Sequence, residues 1–141
     1  MLRPEWLRSL AREPLIFAMS NPDPEIRPEL VEMIRPDAIV ATGRSNYPNQ
    51  INNVLCFPYI FRGALDVGAR EINESMKLAA AEALASQARA RWEEAGLDLK
   101  AARNCIIPDP FDTELLNKVG GAVSRAACDS GVAREALRTL S

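Results

Sequence analysis

The 141-residue chain contains no histidine. Catalysis by a Ser-His-Asp or Cys-His arrangement and a histidine-based zinc site are therefore excluded within it. It also lacks the G-x-G-x-x-G turn and the Walker loop, two glycine-rich motifs that cradle nucleotide phosphates. No apolar run reaches the ~18–20 residues that a membrane span requires, and no basic stretch of the kind that binds nucleic acid is present. Neither a membrane nor a nucleic acid is therefore expected as a partner.

Cysteines are also few, and the net charge is small. The three cysteines, at positions 56, 105 and 128, are far apart and odd in number, which fits a reduced cytoplasm better than a disulfide framework. The net charge is −2, and charged residues make up 26% of the chain, as in an ordinary globular domain. Residues 1–6 lack the apolar core of a signal peptide. We therefore expect a cytoplasmic protein of one domain.

Two short apolar runs predict the strands of a sheet. They cover residues 15–19 and 38–41, and their unbroken apolar character predicts strands buried on both faces. A helix that begins at Pro28 and ends near residue 34 separates them. This strand–helix–strand order predicts a parallel α/β sheet. A third short apolar run lies at residues 105–107, so we predict a sheet of two or three strands.

The rest of the chain reads as helical. A first helix is predicted at residues 4–11, and another begins near residue 53, with Pro58 either kinking it or starting a new first turn. Apolar positions spaced by three and four predict a long helix over residues 71–94. Two further helices are predicted at residues 113–119, with Asp112 as N-cap, and 122–130, separated by a pair of glycines.

A polar stretch lies between two apolar runs, at residues 42–54. Four of its carboxamides are Asn49, Gln50, Asn52 and Asn53. A carboxamide donates and accepts hydrogen bonds without carrying charge, so it suits a site that grips a polar group. A loop that leads from a parallel strand into a helix is also where α/β proteins bind anions.

Asn21 follows the first predicted strand, so its loop emerges at the same sheet edge as the loop after the second strand. We therefore expect Asn21, Asn52 and Asn53 to face one crevice. The alternative is local: Asn21 forms a turn, and the other two amides cap the following helix.

Three other polar positions keep two interpretations each. Arg44 either binds a phosphate or carboxylate, or it pairs with Asp66 or Glu71 or is solvated. Tyr47 is either a general acid or a half-buried tyrosine whose hydroxyl bonds a backbone group. The carboxylates within residues 109–112 are better explained by a turn and a helix cap than by catalysis.

Several of these segments together resemble one family. Residues 41–67 read A-T-G-R-S-N-Y-P-N-Q-I-N-N-V-L-C-F-P-Y-I-F-R-G-A-L-D-V, and residues 14–26 read P-L-I-F-A-M-S-N-P-D-P-E-I. Further on stand I-N-E-S-M-K-L-A-A-A-E-A-L-A and I-I-P-D-P-F-D. The chain resembles the malic enzymes, specifically the bacterial type often fused to a phosphotransacetylase-like domain, from about residue 2 to about residue 134.

The resemblance implies a fold and an activity. The fold is α/β: a partial Rossmann-type parallel sheet followed by packing helices. Residues 1–133 would be the C-terminal part of an NAD(P)-binding domain, and residues 134–141 a tail or linker. The implied activity is oxidative decarboxylation of malate to pyruvate with reduction of NADP or NAD. In the intact enzyme it uses a divalent metal, Mg or Mn.

The resemblance also implies site residues. Asn21 and Asn52 would contact the nucleotide, and Asn21, Asn52 and Asn53 would contact the substrate. The family's metal ligands, its proton-transfer groups and its glycine-rich turn have no counterpart in the chain. We therefore expect the chain alone to be inactive, and to form a homo-oligomer because cover for its sheet is missing. The alternative is a catalytically inactive stand-alone module that binds a partner or a nucleotide.

Overall fold

The computed structural model describes residues 2–98 and 100–134. Their helices and strands follow one another as α1 Pro4–Arg8, β1 Leu15–Ala18, α2 Pro28–Ile34, β2 Ile39–Thr42, α3 Phe57–Asp66, α4 Glu74–Glu94 and α5 Leu115–Asp129. Two short 3-10 helices lie at Asn53–Leu55 and Ala101–Asn104. Nearly all of the predicted tail, residues 135–141, lies outside the described residues.

The described residues form two compact units. The first comprises residues 2–52 with residues 96–98 and 100–107, and the second comprises residues 53–95 with residues 108–134. The first unit holds the sheet, and α3, α4 and α5 belong to the second.

The sheet of the first unit is parallel, as the strand–helix–strand order predicted. Leu15 lies opposite Ile39 and Ala18 opposite Thr42, with α2 in the connection between the strands. Among the described residues the sheet has two strands, and residues 105–107 adopt no strand. Because the strands are parallel, their carboxyl ends lie at one edge.

The prediction that β1 is buried on both faces is wrong. Ile16 and Ala18 are buried, whereas Leu15 is 59% and Phe17 54% exposed. The buried face packs into a core with side chains of α1 and α2, among them Leu7 and Val31. The opposite face of β1 is exposed. The apolar run predicted two buried faces, but the strand has only one.

A charged clamp fixes α1 against the turn between α2 and β2. Arg35 donates through Nε and Nη2 to the two carboxylate oxygens of Asp37, both at 2.8 Å. Its guanidinium also donates to carbonyl oxygens at and after the end of α1, those of Leu7, Leu10 and Ala11. The hydrogen bonds from Arg35 hold the pKa of Asp37 well below its usual range. The stability that this pair contributes is therefore present above the ordinary pKa of an aspartate and lost as the pH falls through the lowered one.

Helix α5 is continuous, although two helices separated by Gly120 and Gly121 were predicted. The glycines lie inside the helix, where α5 packs against α3. A Cβ added to Gly63 of α3 would lie 2.8 Å from Cβ of Val123 and would also collide with the carbonyl oxygen of Gly120. Gly63 therefore lets the two helices approach closely, and packing outweighs the low helix propensity of glycine.

Asp112 does not cap a helix at residue 113, because α5 begins at Leu115. Its carboxylate accepts two hydrogen bonds from Arg91, both at 2.9 Å, and one of 2.6 Å from Nε2 of Gln87. It also accepts one from the backbone N–H of Glu114. These contacts, Arg91 foremost, hold the pKa of Asp112 well below its usual range. Asp112 is thus a structural anchor between α4 and the start of α5.

The other helix boundaries follow local chemistry. Pro58 lies in the first turn of α3, which confirms the new-first-turn alternative. Helix α4 begins three residues later than predicted because the side chain of Asn73 accepts a hydrogen bond from the N–H of Met76 and caps it. No helix in the described ranges is long and apolar enough to cross a bilayer.

A pair of glycine substitutions tests the α3–α5 packing. Gly63→Ala is expected to lower the free energy of unfolding by about 1–3 kcal/mol, because its Cβ meets the facing helix. Gly121→Ala is the matched control: its Cβ would meet the movable end of Arg125 at 3.4 Å, so higher helix propensity should stabilise by up to about 1 kcal/mol. Urea denaturation followed by circular dichroism measures both, and equal effects would contradict the close approach.

Candidate functional site

Two loops emerge together at the carboxyl edge of the sheet. Residues 19–27 follow β1, and residues 43–52 follow β2. The second loop turns back on β2, because Thr42 and Gln50 form a parallel bridge and the N–H of Ile51 donates to the carbonyl of Thr42 at 2.8 Å. The two loops therefore share the edge where ligands of α/β proteins bind.

A groove of about 310 Å³ lies between the two loops. Its lining residues are Asn21, Pro22, Gly43, Arg44, Ser45, Asn46 and Gln50. Carboxamides, a hydroxyl and a guanidinium are the polar groups among them. This set donates hydrogen bonds to anionic and hydroxyl-bearing ligands.

Arg44 is oriented by its own loop and by the loop after β1. Its Nε donates to Oδ1 of Asn46 at 3.0 Å, and its Nη1 donates to the carbonyl of Pro22 at 3.2 Å. The carboxylate near it is Asp23, at 3.7 Å from Nη1. Of the two partners suggested by sequence, Asp66 forms its ion pair with Arg62. The Arg44 side chain is 40% exposed, so it keeps access to solvent and to a ligand.

Asn49 has a structural role. It is buried and has a backbone φ of 55°, in the left-handed region that asparagine tolerates better than most residues. Its Nδ2 donates to the carbonyls of Val40 at 2.9 Å and Arg103 at 2.7 Å, and its Oδ1 accepts from the N–H of Ile106 at 2.9 Å. The carboxamide is thus occupied in joining β2 to residues 103–106, and it is not available to a ligand.

Shorter-range hydrogen bonds fix the rest of the loop. The Oγ1 of Thr42, which is buried, accepts from the N–H of Arg44 at 3.2 Å. Nε2 of Gln50 donates to the carbonyl of Gly43 at 3.3 Å. These hydrogen bonds fix the backbone near both ends of the loop, and thereby position the side chains that line the groove.

The three predicted amides have different surroundings. Asn21 is exposed, lines the groove and precedes a cis peptide bond to Pro22. Asn52 is exposed at the end of the second loop and is not among the groove residues. Asn53 is exposed, belongs to the second unit and opens the 3-10 helix, where its carbonyl accepts from the N–H of Cys56. Their ligand contacts remain predictions.

Asn46 was missed as a groove residue. It lies in the same polar loop as the amides singled out from the sequence, and it both lines the groove and orients Arg44. The sequence signal for this role was the position of Asn46, two residues after Arg44 in a loop already identified as polar.

The side chain that acts most strongly on the hydroxyl of Tyr47 is the carboxylate of Glu29, whereas the sequence interpretation favoured a backbone partner. This carboxylate raises the pKa of Tyr47. Tyr47 does not line the groove.

The described residues do not bring three histidine, cysteine, aspartate or glutamate side chains into a group that could hold a metal ion. The side chains of the groove are likewise amides, a hydroxyl and a guanidinium. These residues do not fit the divalent metal expected of the family, so we assign no step to a metal here.

Comparison with known proteins decides the family. A family model described as "Malic enzyme, NAD binding domain" matches residues 5–99, about two thirds of the chain. The chain belongs to the malic enzyme family. The matched range contains both loops of the groove and all three predicted amides.

Individual malic enzymes agree with this assignment. The chain is 55% identical to the NADP-dependent malic enzyme of Salmonella typhimurium over 94% of its length, and 48% identical to the NAD-dependent malic enzyme of Rhizobium meliloti over 98%. It spans 18% and 19% of those two proteins. The crystal structure of malic enzyme from Pyrococcus horikoshii superposes with a TM-score of 0.81 at 44% identity, covering 94% of this chain and 28% of that one. The fold shared with malic enzymes is thus that of a partial Rossmann-like α/β sheet with helices.

Substitution of Asn49 tests its structural role. Asn49→Ala is expected to lower the free energy of unfolding by about 2–5 kcal/mol, because it leaves partly buried backbone groups of Val40, Arg103 and Ile106 without this partner. Asn46→Ala, which removes an exposed amide of the same loop, should change it by less than about 0.5 kcal/mol. Urea denaturation gives both values.

Asn49→Gly separates the side chain from the backbone strain. Because glycine adopts a positive φ without cost, this variant should be more stable than Asn49→Ala by about 1 kcal/mol yet less stable than the unsubstituted chain. Hydrogen exchange at the N–H of Ile106 should be accelerated in both variants. Unchanged exchange there would show that the carboxamide does not hold this segment.

Proposed function

We propose that the chain forms one wall of the malate and NAD(P) crevice of a malic enzyme, which oxidatively decarboxylates malate to pyruvate. The observation that carries the proposal is the polar groove at the carboxyl edge of a parallel sheet, within the segment matched by the family's NAD-binding domain. Residues 1–133 would be the C-terminal part of that domain. The three widely separated cysteines, odd in number, suit the cytoplasm.

The nucleotide assignment rests on the relatives and on the chemistry of the groove. The relatives include NADP-dependent and NAD-dependent enzymes, so we propose NADP or NAD as the cofactor. The amides and the guanidinium of the groove suit ribose hydroxyls and carboxylates. When bound, the nicotinamide supplies the hydride acceptor. The chain's own residues bind the nucleotide and orient it.

Each predicted amide has a proposed role. Asn21 and Asn52 contact the nucleotide, and Asn21, Asn52 and Asn53 contact malate or pyruvate. A neutral amide can donate to the substrate carboxylate without adding charge to the site. Arg44, held toward the groove by Asn46 and Pro22, adds a cation beside the same ligands. Mg or Mn would be held elsewhere in the intact enzyme, and we expect the chain alone not to turn over malate.

The alternative, a catalytically inactive interaction module, has less support. It would explain an exposed apolar face on β1 but not the concentration of ligand-binding groups at one sheet edge. The family assignment also favours the enzyme.

The amides can be tested in a complete malic enzyme that contains this sequence. Asn21→Ala and Asn53→Ala are each expected to lower kcat/KM with malate about ten- to a hundredfold, since a hydrogen bond to a charged group contributes about 1.5–3 kcal/mol. Asn117→Ala, on the exposed surface of α5, is the matched control and should leave kcat/KM unchanged. Reduced-nucleotide absorbance measures the rates, and full activity in both test variants would refute the assignment.

We also propose that the chain forms a homo-oligomer. Leu15, Phe17 and Met19 expose an apolar stripe along β1, and open sheet faces favour association. Size-exclusion chromatography with light scattering should show a dimer or larger species at micromolar concentration. Phe17→Thr should shift the distribution toward monomer, whereas Met33→Ala, an exposed apolar residue on α2, should not. A monomer in the unsubstituted chain would overturn the proposal.

A further inference from the structure

A second concavity of the first unit shares the loop after β2 with the groove. It has a volume of about 190 Å³ and lies among α2, β2, Tyr47 and Pro48 of the loop, and the 3-10 helix Ala101–Asn104. At ~30 Å³ per water it has room for about six waters, which corresponds to a molecule of roughly six to nine non-hydrogen atoms. It is therefore large enough for a small metabolite.

Much of its lining is apolar. The apolar contributors are Pro28, Pro36, Ala38, Val40 and Pro48. A concave surface of this kind, with a few polar groups that converge on it, is typical of small-molecule sites. Such a ligand should therefore carry an apolar body.

The two guanidinium groups of the cavity differ in availability. Arg35 is committed to Asp37 and to the carbonyls after α1, so its charge is already neutralised. Arg103 is half-buried and uses Nη1 to donate to the carbonyl of Pro36. Its guanidinium has further N–H donors, so it is the better partner for an anionic group.

Two carboxylates line the same cavity. Glu29 and Glu32 are three residues apart on α2 and therefore lie on the same side of the helix. Both carboxylates are exposed, and neither forms an ion pair within residues 2–98 and 100–134. The cavity thus presents acidic and basic groups together.

From this arrangement we propose that the cavity binds a small zwitterion with an apolar body, of the type of a free aliphatic amino acid. Its ammonium group would meet Glu29 and Glu32, and its carboxylate would meet Arg103. The apolar body would contact the prolines and Val40. This site is separate from the groove and does not depend on the proposed enzymatic role.

Occupancy of the cavity should be sensed in the groove. Tyr47 and Pro48 line the cavity, whereas Asn46 and Gln50 of the same loop line the groove. Between them, Asn49 is hydrogen bonded to the carbonyl of Arg103, whose side chain lines the cavity. A ligand that contacts Tyr47 and Arg103 therefore contacts the loop itself and also the residue to which Asn49 of the loop is hydrogen bonded.

Nuclear magnetic resonance of the ¹⁵N-labelled 141-residue chain tests the proposal with L-leucine as the probe. Saturable shifts are expected at the amides of Glu32, Tyr47 and Arg103 and at the side-chain amides of Asn46 and Gln50, with a Kd of about 1 mM or tighter. L-leucinamide lacks the carboxylate and 4-methylpentanoate lacks the ammonium group. Each should bind about tenfold or more weakly.

Glu32→Gln removes one charge at an exposed position and should weaken leucine binding at least about tenfold. Glu5→Gln, an exposed glutamate on α1 outside the cavity, is the matched control and should bind normally. The spectra themselves report whether each variant is folded. The proposal is overturned by the absence of saturable shifts up to about 10 mM leucine, by equal affinity for the three probes, or by unchanged affinity in Glu32→Gln. None of these readouts involves malate turnover.

Discussion

The geometry of the first unit depends on one buried carboxamide. Asn49 satisfies two carbonyls and one N–H from segments that are remote in sequence, and it does so from a left-handed backbone conformation. A charged side chain there would have to be buried without a counter-ion, and an aliphatic one would leave three polar groups without partners. The loop that presents Arg44 and Asn46 to the groove thus has its position fixed by a residue that does not touch the ligand.

Two kinds of polar residue share this loop and do different work. Asn49, like Thr42 at the end of β2, is buried and completes backbone hydrogen bonds, whereas Asn46 and Gln50 line a surface open to a ligand. Sequence composition does not separate them, because the same residue type serves both purposes. Burial and hydrogen-bond partners do, and they divide the loop into a scaffold part and a binding part.

The sequence predicted the architecture of the first unit better than its packing. Residues 28–34 form the expected helix and the two strands are parallel, because proline positions and strand–helix–strand order report local and topological constraints. Single-sided burial of β1 was not predictable, since an apolar run does not say which elements cover it. The continuity of α5 through two glycines was missed because it follows from the close approach of α3. The helix propensities of individual residues carry no information about that approach.

The first unit is interrupted in sequence, and this bears on how the chain is made. Residues 2–52 leave the ribosome well before Arg103 and Ile106, which complete the unit, because residues 53–95 are synthesised in between. At ~5–20 residues per second, the amide of Asn49 waits about 3–10 seconds for its partners. The hydrogen bonds that Asn49 makes to Arg103 and Ile106 in the finished unit therefore form only after residues 103–106 have been synthesised.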